Sequence, residues 1–205
     1  MSKRQNQLMK TYLRQRENHI KNSSYETYKL YEIYFLYKMG VDISDKTEFM
    51  SHTDLVTKYP ELYDAINLDK LSPSFFANLI SRDPKYLDKT PKEKLLKLNS
   101  YYMGIIISST KLSDIIKYDF LNKLPIHKLE SEDIAFIILD EPKIIKLFPQ
   151  EIINKINSAG ASQLITQHPR LLKYFENHKL HKHQILDIIQ HHPQLKQYFK
   201  ERGVL

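Results

Sequence analysis

The chain has 205 residues, enough to bury a sizeable core as one domain or as one array with a helical extension. Four Gly, nine Pro, 41% hydrophobic and 27% charged residues describe a folded chain with few loops, which excludes a largely disordered protein. The formal charge is +7 and there is no Cys, so disulfides, thiolate metal ligands and cysteine nucleophiles are all excluded.

The first segment, Met1 to Ser24, carries Lys3, Arg4, Lys10, Arg14, Arg16 and Lys21 against Glu17 alone. It is charged and lacks the apolar core of a secretory signal, so the expected location is the cytoplasm. The longest apolar runs, such as Ile134 to Leu139, fall far short of the roughly 20 residues a membrane span needs, so no membrane partner is expected. Plentiful Lys, Ile, Asn and Tyr without Trp resemble the product of an AT-rich genome. That composition suggests a viral or mobile-element source, with the host cytoplasm as the place of action.

Next comes "YETYKLYEIYFLYKMG", in which Tyr25, Tyr28, Tyr31, Tyr34 and Tyr37 recur every third residue. On an α-helix a step of three falls about 60° short of a full turn, so the rings spiral around the axis. Leu30, Ile33, Phe35, Leu36 and Met39 fill the other sectors. A helix apolar on nearly all sides is buried on nearly all sides, which predicts a sandwich between the basic first helix and the first proline-marked repeats of the chain. The alternative for the five tyrosines is an interface, for self-association or for stacking on bases. Gly40 is expected to end the helix.

From about Ser51 five segments share one pattern: "LVTKYPELYDAI", "LISRDPKYLDKT", "IILDEPKIIKLF", "LITQHPRLLKYF" and "IIQHHPQLKQYF". Each begins with two apolar residues, places Pro five positions after the first, and resumes apolar residues beyond it. Phe148, Phe175 and Phe199 fall six residues after their prolines. A degenerate sixth member, Ile106 to Leu112, has Lys111 in the proline place. Each unit reads as two short helices with Pro as the corner, since the residue before Pro leaves the α region and Pro fits a helix start. Ser72-Pro73, Ser131 and a capping box Thr90-Pro91-Lys92-Glu93 are the expected helix starts.

The expected fold is therefore all-α: an α-solenoid-like array of short helix pairs over 51–205, preceded by an N-terminal helical extension over 1–50. This apolar pair, Pro and "xLLxxF" core resembles the repeat of the mitochondrial transcription termination factor family and, more loosely, HEAT-like repeats, from about Ser51 to Phe199. The resemblance implies right-angled stacking of the helices. It supplies no functional residue.

Chemistry has few candidates. His183, Asp187 and His191 stand at i, i+4 and i+8, a spacing that could place metal ligands on one helical face. Ile185, Leu186, Ile188 and Ile189 would bury the other face, which makes a solvent stripe the simpler reading. His168 and His192 precede their repeat prolines where other units carry Tyr59, Asp83, Thr110 and Glu141, which reads as a solvent-facing corner. No phosphate-binding loop, nucleophile elbow or zinc-protease motif is present, so no catalytic residue and no cofactor is expected. What the pattern predicts is a non-enzymatic protein that binds another macromolecule, a protein above all, through its repeat surface. The alternative is nucleic acid, held by Lys3, Arg4, Lys10, Arg14 and Arg16 at one end and Arg170, Lys173, Lys182, Lys196 and Lys200 at the other.

Overall fold

The computed structural model describes residues 7, 9–14, 25–43, 52–176, 178 and 180–205, and of residues 25–28 the backbone alone. These residues are helical or irregular, with no strand among them. The chain divides into two compact units, Met1–Phe75 and Phe76–Leu205. The boundary expected near residue 50 lies in 44–51, outside the described residues.

In the first unit residues 9–14 are helical and the tyrosine stretch forms helix α1, Tyr25–Lys38. The three-residue step spreads its rings over two sides, as the helical geometry requires. On one side Tyr12 stacks on Phe35 at 3.8 Å between ring centres and on Tyr31 at 5.7 Å. On another, Tyr34 stacks on Tyr59 at 4.1 Å with the planes only 5° apart. Ile33 and Phe35 are buried, whereas Tyr31, Tyr34 and Tyr37 keep one edge in solvent. The near-complete burial expected of this helix thus holds for its Ile33 and Phe35 positions. The tyrosines are half-buried, because each phenol oxygen is cheaper to leave at the water boundary.

Gly40, at φ +77°, closes α1. The Gly40 amide donates to Tyr37 O at 2.9 Å and the Val41 amide to Leu36 O at 3.0 Å, the paired bonds of a left-handed glycine stop. In the last turn Lys38 meets Glu61 at 3.2 Å and lies 5.1 Å from the Tyr34 ring centre. Hydrogen bonds that the Lys38 ammonium donates to Glu61 and Tyr34 hold the amine above its ordinary range. The first proline segment completes this unit, with α2, His52–Lys58, followed by a 3₁₀ helix, Pro60–Ala65.

The second unit repeats one theme. Its longer helices are α3, Pro73–Arg82 (which crosses the unit boundary), then α6, Ser100–Ser109, α9, Ser131–Asp140, α11, Ser158–Gln167, and α12, Lys182–His191. Between them lie one- and two-turn pieces: α4, Tyr86–Lys89, α5, Lys92–Leu95, α7, Leu112–Lys117, α8, Phe120–Lys123, and α10, Gln150–Ile153. Helix α13, Lys196–Glu201, closes the series. At four of the five repeat prolines the preceding residue takes nearly the same backbone angles: φ −132° at Tyr59, −134° at Glu141, −133° at His168 and −134° at His192. All four lie outside the α region, as a following Pro demands.

The second short helix is not of one kind: after Pro84 it is the α-helix α4. After Pro60, Pro142, Pro169 and Pro193 the chain forms a 3₁₀ helix rather than an α-helix. Pro lacks the amide that would start an α ladder, and a run of at most six residues has little to gain from the wider turn. Ile144 N donates to Glu141 O at 3.0 Å and Leu171 N to His168 O at 2.9 Å, both three-residue bonds. Where Lys111 replaces Pro, the following piece is the α-helix α7, with Lys111 at its N-cap.

Two expected helix starts are also corrected. Thr90 forms no capping box with Glu93; its buried hydroxyl donates back to Tyr86 O at 2.7 Å and closes α4. Ser131 is the first residue of α9 rather than its cap, which is Glu130. Asn99 and Asn157 cap α6 and α11, their side chains accepting from Tyr102 N at 3.0 Å and Gly160 N at 2.9 Å. Ser72 does cap α3, with Pro73 in its first turn, accepting from Phe75 N at 3.4 Å.

Successive long helices pack on one another, α6 on α9, α9 on α11, and α11 on α12. Small residues let them approach: a Cβ on Gly160 would lie 3.3 Å from Ala135 Cβ, and one on Gly104 would lie 3.5 Å from Asp133. Hydrogen bonds recur between equivalent positions. Glu130 N donates to Ser100 Oγ at 2.8 Å, and Asn157 N to Ser131 Oγ at 2.9 Å, so the opening serine of one helix receives the cap amide of the next. The Ser100 hydroxyl itself donates to Asp133. At the series' end His181 N turns instead to Gln184 of its own helix, at 2.8 Å. The lysines Lys128 and Lys155 likewise reach back to carbonyls of the preceding unit, Leu96 O at 2.6 Å and Leu129 O at 3.2 Å.

Candidate anion-binding site

A 3₁₀ helix has about three residues per turn, so side chains at i and i+3 eclipse. In Pro142–Leu147 this aligns Lys143 with Lys146, and in Pro169–Tyr174 it aligns Arg170 with Lys173. The core takes the intervening positions, Ile144 and Ile145 in one segment and Leu171 and Leu172 in the other, all buried. Two pairs of cations are left, one from each of two consecutive units.

These four side chains line one groove of about 570 Å³, together with His168, Gln167 and Tyr174, and no carboxylate lines it. None of the four forms an ion pair among the described residues. Lys173 lies 5.2 Å from the Tyr174 ring centre, the only ring its ammonium meets among the described residues. The same positions earlier in this half of the chain are neutralised. Lys85 pairs with Asp83 at 2.5 Å, which holds its amine above the ordinary range, and Asp88 pairs with Lys123. Chemically, the groove offers concentrated donors and positive charge to an anion; the carboxylate nearest in sequence, Glu141, accepts from Lys143 N at 3.3 Å.

The structure brings together Arg170 and Lys173 but leaves Lys182, Lys196 and Lys200 exposed and away from the groove lining. Lys10 and Arg14 are exposed; Lys3, Arg4 and Arg16 lie outside the described residues, as do the side chains of Tyr25 and Tyr28. Lys143 and Lys146 are absent from the cations expected of the two basic ends, yet the pattern "PKIIKL" beside "PRLLKY" holds the signal, once the segments are read with a period of three.

The His183, Asp187 and His191 stripe does not gather. His191 Nδ1 lies 3.6 Å from Asp187 Oδ1 and 2.9 Å from Asp187 O, while His183 stacks on His181 at 5.7 Å. No group of three or more metal-ligating side chains is assembled among the described residues. His168 and His192 are half-buried rather than fully solvent-facing: His168 lines the groove, and His192 Nε2 donates to Thr166 O at 2.7 Å, joining two units. No described helix is long and apolar enough to cross a membrane. No family model, curated protein or solved structure matches the chain.

Proposed function

We propose that the chain is a non-catalytic interaction module, a short α-solenoid that holds an acidic segment of a protein partner in the groove of Lys143, Lys146, Arg170 and Lys173. The observation that carries this is four cations that, among the described residues, form no ion pair and line one groove without a carboxylate. A patch of that kind raises the encounter rate with an oppositely charged partner and selects against like charge. The solenoid reading is supported by the recurring backbone angles at Tyr59, Glu141, His168 and His192 and by the equivalent serine bonds of Ser100 and Ser131.

Protein is favoured over nucleic acid by the extent of the charge. A phosphate backbone calls for a long basic track, whereas the unpaired cations of the 3₁₀ segments span two units and an earlier one carries paired Lys85 and Asp88. Exposed Tyr101 and Phe136 on α6 and α9 add apolar contact area of the kind protein interfaces use.

The test compares the whole chain with the fourfold variant Lys143→Glu, Lys146→Glu, Arg170→Glu, Lys173→Glu, using a labelled poly-glutamate peptide and short single-stranded and duplex DNA across a salt series. Positions outside the core tolerate such exchange, so the variant should keep its helical circular dichroism. The expected result is peptide binding that weakens with salt and is lost in the variant. DNA binding that disappears in the variant, with no peptide binding, would establish the nucleic-acid reading instead. Failure of both probes would overturn the groove as a binding site.

A further inference from the structure

We infer that the groove of Lys143, Lys146, Arg170 and Lys173 recognises a phosphorylated segment of its protein partner, a phosphate bridging the two 3₁₀ segments, so that phosphorylation of the partner governs docking. This rests on the reading of the groove as the docking site of an acidic segment, and names the anion that suits it best.

The cations arrive from two separate pieces of chain. Lys143 and Lys146 eclipse on Pro142–Leu147, Arg170 and Lys173 eclipse on Pro169–Tyr174, and all four line the same groove. A carboxylate has two oxygens in one plane and is matched by the donors of one segment. A phosphate monoester carries three acceptor oxygens spread around phosphorus, so it can accept from both segments together. Arg170 adds a planar fork of donors, the geometry that holds phosphate in a bidentate way.

Charge density points to the same anion. The four side chains are exposed, and their like charges repel one another with no carboxylate in the lining to offset them. The carboxylate nearest in sequence, Glu141, is turned to Lys143 N at 3.3 Å and does not line the groove. A phosphoserine brings a charge of about −1.5 to −2 at pH 7 on one short side chain, so two phosphates offset what would take four glutamates. The neutral lining residues Gln167, His168 and Tyr174 supply further donors to the same oxygens.

Labelled peptides on one Gly-Ser frame, carrying two phosphoserines, four glutamates or serine alone, are titrated into the whole chain at fixed ionic strength and followed by fluorescence anisotropy. The first two carry nearly equal charge, so their comparison isolates the phosphate group. The diphosphopeptide should bind roughly ten-fold tighter than the tetraglutamate peptide, and the serine peptide should not bind. The double variants Lys143→Gln, Lys146→Gln and Arg170→Gln, Lys173→Gln should each erase that preference, since a phosphate would then meet one segment only. Both change exposed positions and should keep the helical circular dichroism of the parent. Equal binding of the two anionic peptides by the parent would overturn the phosphate assignment and leave the acidic-segment reading standing. Binding of neither would overturn both. A preference that survives in both variants would overturn the bridge, and a single-stranded oligonucleotide of equal charge that binds tighter than the diphosphopeptide would assign the groove to nucleic acid instead.

Discussion

Both units bury aliphatic side chains, but each adds a different kind of contact to that core. The tyrosine unit relies on stacked rings, Tyr12 on Phe35 and Tyr34 on Tyr59, whose contact energy depends on area and tolerates small shifts along the ring faces. The proline unit relies on aliphatic side chains at the same two or three positions of each segment, and on single hydrogen bonds between equivalent residues such as Ser100 to Glu130 and Ser131 to Asn157. Aliphatic packing alone would let one helix slide on the next. The serine bonds are directional and set the register, at a gain of about 0.5–1.5 kcal/mol each.

The largest loss is expected in the proline unit. Leu164 is fully buried on α11, the helix between α9 and α12, and Leu164→Ala should cost about 2–5 kcal/mol in denaturant unfolding. In the tyrosine unit the rings are only half-buried, so Tyr31→Ala should cost about half of the roughly 3–5 kcal/mol of a fully buried aromatic. If Tyr31→Ala leaves the unfolding curve unchanged and instead abolishes self-association, the ring faces a second copy rather than Tyr12.

Register is tested at Ser100. Ser100→Ala removes the acceptor of Glu130 N and the donor to Asp133 in a site that is nearly closed to water, and should cost about 1–3 kcal/mol. Ser131→Ala leaves an amide that water can reach, and should cost less. Equal losses in the two variants would show that packing and not the serine ladder sets the spacing.

Acid should act on the tyrosine unit through His52. His52 packs edge-on against Phe75 at 6.2 Å, and burial pushes its imidazole below the ordinary value of 6.5. The unfolded chain therefore takes up the proton first, so this contribution is present above about pH 6.5 and is lost as pH falls through the folded value. His52→Phe should flatten the stability profile below about pH 6.5. A profile identical to that of the parent would place the acid sensitivity elsewhere.

The smallest effect expected is a gain. A Cβ on Gly104 meets nothing nearer than Asp133 at 3.5 Å, so Gly104→Ala should stabilise α6 by about 0.5–1 kcal/mol. The same change at Gly160, where the Cβ would come within 3.0 Å of Ile156, should give no such gain. A matching rise in Tm at both positions would mean that the helices approach less closely than Ala135 and Gly160 indicate.

Local backbone chemistry was enough to read the all-helical class, the corners at Pro60, Pro142, Pro169 and Pro193, and the stop at Gly40 directly from the residues. Each depends on something a single residue carries: a missing amide, a fixed φ, the lack of a Cβ. Half of the candidate groove was legible in the same way, as Arg170 and Lys173 in a basic tail. Lys143 and Lys146 were not, because they lie in a stretch of about neutral charge, and their alignment depends on a 3₁₀ rather than an α-helical turn. Tertiary packing sets that Asp88 meets Lys123, and that Lys143 and Lys146 share a groove with Arg170 and Lys173. Those outcomes turn on distances between groups far apart in the chain, which no local preference encodes.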